Sequence, residues 1–85
     1  MDKPVKYRDL LVLAGKYGVY EDPKRAKGSE RLWVRELGDG TKRSIPVTCH
    51  GPGYVVGVGL VKAIRRRLLL TPQDGVSDAA FYSKK

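Results

Sequence analysis

The chain is poor in the residues that carry most small-molecule chemistry. Of its 85 residues one is cysteine (Cys49), one is histidine (His50), and tryptophan, phenylalanine and methionine occur once each. A lone cysteine excludes an intrachain disulfide framework and a multi-cysteine zinc site. It also fits a reducing compartment, so a cytoplasmic home is the expectation. No apolar run approaches the roughly 20 residues of a bilayer-spanning helix. The longest, Tyr54 to Val61, is broken by Gly57 and Gly59. Met1-Asp2-Lys3-Pro4 has no apolar run of the signal-peptide kind. No membrane partner is therefore expected. Gly51-x-Gly53 and Gly57-x-Gly59 match neither a dinucleotide fingerprint nor a P-loop, because no Lys-Ser or Lys-Thr follows. Neither a metal nor a cofactor is expected.

Acidic residues are also scarce. There are 9 Asp and Glu against 17 Lys and Arg, a formal net charge of +8. Such an excess argues for a polyanionic partner, because each neutralised phosphate releases condensed counterions. The hydrophobic share of 41% is enough for one core. A domain this small buries only roughly 60% of its unfolded surface, so its stability should be modest.

Apolar periodicity predicts the elements. Tyr7, Leu10, Leu11, Ala14 and Tyr17 recur at helical spacing, which predicts a first helix over about residues 4–17, with Pro4 in its first turn and Gly18 as a left-handed stop. Val19 and Tyr20 open an extended segment. Arg31 to Leu37 alternates, with Trp33 expected in the core, and Gly38-Asp39-Gly40 is a hairpin turn. Lys42 to Cys49 returns as a strand whose Pro46 prefers an edge or a bulge. Tyr54 to Val58 reads as loop or a short extended piece. Leu60, Val61, Ile64 and Leu68 predict a second helix over about 59–70. Thr71-Pro72 reads as a cap followed by a first-turn proline. Ser77-Asp78 begins a last short helix whose Phe81 and Tyr82 are expected on the core. The fold class is α+β, in the order α-β-β-β-α with a three-stranded antiparallel sheet. Residues 1–70 form the domain, and 71–85 form an extension that packs on it or trails from it.

Several residue groups are candidates for chemistry. Metal-free RNA cleavage needs a base, an acid and cations for the phosphate. Glu30 and His50 are the candidates for proton transfer. His50 is the one side chain with an ordinary pKa near neutrality. Arg31, whose fork suits a phosphate, follows Glu30 directly. The plain alternative is a surface Glu-Arg pair and a solvated loop histidine. Lys62, Arg65 and Arg66, at spacings of three and four, are expected on one exposed basic helix face. A helix lined this way suits the phosphates of A-form RNA. Lys24, Arg25, Lys27, Arg31, Arg35, Lys42 and Arg43 make a second basic zone. Cys49 reads as a small buried filler.

The stretch Lys27-Gly28-Ser29-Glu30-Arg31-Leu32-Trp33, the helix end Lys16-Tyr17-Gly18, Pro46 with His50, and Gly59 to Ile64 together resemble the HicA toxin family. The likeness runs from about Tyr7 to Leu69. It implies a double-stranded-RNA-binding-domain-like fold. It implies a metal-independent endoribonuclease acting on messenger RNA, with a HicB-like antitoxin as protein partner. It places Lys27, Ser29 and Arg31 at the RNA beside Lys62, Arg65 and Arg66. The family has a catalytic histidine where this chain has Glu30. Two rival readings follow: a binding module without chemistry, and a protein-interaction domain that docks through Tyr54 to Val58.

Overall fold

A computed structural model describes residues 2–22, 30–51 and 53–83. The expected Lys27 and Ser29 lie outside them, as do Lys24 and Arg25. The chain is α+β. In order, it comprises β1 (Val5–Lys6), α1 (Tyr7–Gly15), β2 (Val19–Glu21), β3 (Glu30–Glu36), β4 (Lys42–Thr48), β5 (Val55–Val56), α2 (Val58–Arg67), a 3-10 turn (Pro72–Asp74) and α3 (Asp78–Tyr82). Strands β2, β3 and β4 form an antiparallel sheet in that order, and β1 pairs with β5 in a second, two-stranded one.

The first helix starts three residues later than its periodicity suggests. Val5 and Lys6 are held in a ladder with Val56 and Val55, and the Tyr7 N–H donates to the Tyr54 carbonyl at 2.8 Å. That backbone is extended, so Pro4 lies before the ladder and not in a helical turn. From Tyr7 onward the apolar stripe takes over, and Tyr7, Leu10, Leu13 and Ala14 are buried. Gly18 follows at φ 85°, in the left-handed region that glycine adopts without a Cβ clash.

The hairpin between β3 and β4 forms where the glycines predict. The Leu37 N–H reaches Thr41, and the Asp39 carboxylate accepts both the Thr41 N–H and hydroxyl. Its register pairs Trp33 with Ile45 and Glu30 with Thr48. Pro46 lies on β4, an edge strand, where its missing N–H removes no bond within the sheet.

Alternation along β3 gives the sheet two faces. One face packs under the helices. Trp33 and Val47 are 0% exposed there, joined by Leu10, Ile64, Leu68 and Phe81 in one core. The Trp33 indole N–H donates to the Tyr7 hydroxyl at 2.9 Å, and the rings meet edge to face at 5.3 Å. The other face carries Tyr20, Leu32, Val34 and Ser44, and is open in that no helix among the described residues packs on it.

The C-terminal segment belongs to the same core. Thr71 opens the 3-10 turn, with its N–H and hydroxyl both on the Asp74 carboxylate. Ser77 caps α3 by accepting the Ala80 N–H at 3.1 Å. Phe81 is fully buried, which stabilises by about 1.5–3 kcal/mol relative to leaving it exposed. Tyr82 packs beside it, half-buried. The Lys16 ammonium holds the end of α3 by donating to the carbonyls of Ala80, Phe81 and Ser83.

Candidate functional site

Glu30 begins β3 and is exposed. By alternation it shares the open face with Leu32 and Val34, opposite Thr48. Arg31 therefore turns to the other face. There it pairs with Glu21 at 4.0 Å, and Glu21 accepts the Tyr7 hydroxyl. Glu30 and Arg31, adjacent in sequence, thus stand on opposite sides of the sheet, because neighbours on a strand point to opposite faces. Burial first, and then the hydrogen bond to Glu21, pushes the Tyr7 phenol up to about 12.

His50 lies two residues past Thr48, so it emerges at the same end of the ladder as Glu30. Its exposed ring rests edge-on against Tyr54, with centroids 4.9 Å apart. Among the described residues the Glu30 and His50 side chains make no hydrogen bond or ion pair with each other. Cys49 is half-buried, and its thiol faces the Gly51 carbonyl at 3.7 Å.

The second helix separates the three expected cations. Lys62 and Arg66 are exposed one turn apart. Arg65 is 2% exposed and faces inward. Its Nη1 donates to Asp2 and to Asp78, each at 2.7 Å. Its Nε and Nη2 reach the carbonyls of Leu70 and Val76, and its guanidinium stacks 4.5 Å from the Phe81 ring. Its expected place on the exposed basic face is corrected, because all of these bonds point into the fold. Burial alone would raise the Asp2 carboxyl. Arg65 and the Tyr82 hydroxyl outweigh it and hold Asp2 below its ordinary 3.8. The spacing carried a signal for this: Arg65 stands four residues after Val61 and three before Leu68, both in the core.

Three further arginines are tied to the C-terminal end of α2. Arg35 donates to the carbonyls of Tyr17, Leu68 and Leu69. Arg43 donates to the Arg67 carbonyl, and Arg67 in turn to that of Ser44. These cations sit where the helix dipole is negative and its last carbonyls lack partners. Arg35 also supports Leu69, which follows the helix at φ 58°, a conformation that disfavours a side chain.

An open groove of about 700 Å³ runs beside α2, lined by Lys62, Arg66, Thr71, Pro72 and Gln73 over the Arg65 ion pair. The open sheet face holds a smaller hollow of about 210 Å³. Elsewhere Val55 and Val58 are 48% and 40% exposed, while Val56 between them is buried. No helix among the described residues is long and apolar enough to cross a membrane. Comparison of the chain with protein-family models, with curated proteins and with solved structures finds no match.

Proposed function

We propose that this chain is an RNA-binding domain of the HicA kind, which engages RNA through the exposed cations of α2. The observation that carries the reading is an asymmetry of charge. Six of the nine acidic residues, Asp2, Glu21, Glu36, Asp39, Asp74 and Asp78, accept hydrogen bonds from named neighbours within the fold. Lys6, Arg8, Lys62 and Arg66 are exposed and form no ion pair among the described residues. Acids engaged by neighbours within the fold, beside cations left exposed on α2, suit a phosphate backbone.

Within this reading, Glu30 and His50 supply the proton-transfer groups of a metal-independent messenger-RNA endoribonuclease, with a HicB-like antitoxin as its protein partner. Their emergence at one end of the β3–β4 ladder supports that role. The test is incubation of the purified protein with mixed-sequence RNA in chelator, with binding followed in parallel at low and high salt. Cleavage that both Glu30→Ala and His50→Ala abolish supports the toxin. Salt-sensitive binding with intact RNA leaves a binding module without chemistry. Absence of binding at low salt overturns the RNA reading.

A second reading rests on the exposed Val55 and Val58. Apolar side chains at the start of α2 suit a protein partner. It predicts that Val55→Ser with Val58→Ser abolishes capture of a HicB-like protein and leaves RNA binding unchanged.

A further inference from the structure

Among the described residues no helix packs on the outer face of the three-stranded sheet, and that face carries a small apolar floor. Tyr20, Val34 and Ser44 stand directly across from one another on the three strands. Leu32 continues the apolar floor toward Glu30. Within the floor Leu32 is half-buried and Val34 is 6% exposed. Tyr20 forms the wall and is 40% exposed. Its hydroxyl donates to Glu36 at 3.2 Å, and Glu36 pairs with Lys42 at 3.6 Å. The ring is therefore held in place before any ligand arrives. Asp22 and Lys42 stand at the rim of the hollow.

We propose that this hollow takes one unpaired nucleobase of a single-stranded RNA, stacked on the Tyr20 ring over Leu32 and Val34. The inference rests on the RNA-binding reading and gives it a second contact surface, distinct in kind from α2. A flat, fixed aromatic beside an aliphatic floor suits any base, because every base presents a π-face. Charge sets the orientation. Lys42, the cation at the rim, is paired with Glu36, and Glu30 stands exposed on the same face. Phosphates are thus left to the cations of α2, and the hollow is left to the base. The hollow, about 210 Å³, is too small for a folded duplex element and selects for a base splayed out of its stack.

The test compares two probes on the whole chain: a short oligocytidine and an abasic ribose-phosphate oligomer of equal length. Affinity is measured by fluorescence anisotropy over a range of salt for wild type, Tyr20→Ala, Tyr20→Phe and Lys62→Ala. Tyr20→Ala is expected to weaken oligocytidine roughly 5- to 100-fold without changing the salt slope, as for loss of one base stack. Tyr20→Phe should keep most of that affinity, and the abasic oligomer should bind wild type and Tyr20→Ala alike. Lys62→Ala should instead flatten the salt slope for both probes. Equal affinity of wild type for the two probes, or an unchanged Tyr20→Ala, overturns the base site and leaves RNA binding standing. Failure of wild type to bind either probe at low salt removes both.

Discussion

Arg65 and Arg66 are neighbours in the chain and opposites in the molecule. Arg65 is enclosed by two carboxylates, two carbonyls and an aromatic ring. Arg66, one position on, is exposed and forms no ion pair among the described residues. A rotation of about 100° along the helix separates a cation that holds the fold together from one available to a ligand. Net charge therefore overstates what a partner meets. Arg35, Arg43, Arg65 and Arg67 all serve the α2 end of the fold.

The sharpest way to break this contrast is to remove each arginine in turn. Arg65→Ala leaves Asp2 and Asp78 without their cation and should cost about 2–4 kcal/mol of stability in urea unfolding. That is somewhat below a fully buried pair, since solvent reaches both acids. An equally stable Arg65→Ala would show that the clamp contributes nothing.

Acid offers a gentler probe of the same contact. Asp2 has a folded pKa below its ordinary 3.8, so its contribution is fully present above that value. It is lost as pH falls through the lowered folded pKa. Wild type should therefore shed stability below about pH 4 in a phase that Asp2→Asn lacks, read by circular dichroism. Identical acid profiles would sink the assignment.

The smallest effect on stability belongs to Arg66→Ala, expected within about 0.5 kcal/mol of wild type. Its consequence should lie in the RNA titration, where the salt slope drops by about one phosphate contact. A stability loss as large as that of Arg65→Ala would erase the distinction between the two residues.

Local chemistry was legible in the sequence and long-range pairing was not. The glycines around Asp39, the caps at Thr71 and Ser77, and the alternation that buries Trp33 all act within a few residues, and the fold places them as read. The pairing of Val5–Lys6 with Val55–Val56 has no local signal, because each strand is two residues long and gains its partner only through the fold. The site was legible in the same measure. Strand parity separates Glu30 from Arg31, and that parity was already present in the β3 pattern. The burial of Arg65 depends on Asp2 and Asp78, 63 and 13 residues away. Helical spacing reports which way a side chain points, not what lies above it.

The Arg65 contact also has a mechanical side. One guanidinium nitrogen grips residue 2 and residue 78, so nearly the whole chain is drawn into a loop fastened at a single point. Tension applied to the two ends of that loop reaches this fastening before it reaches the sheet. The domain should therefore yield to force first by unzipping its ends, with the β2–β3–β4 ladder still intact behind them.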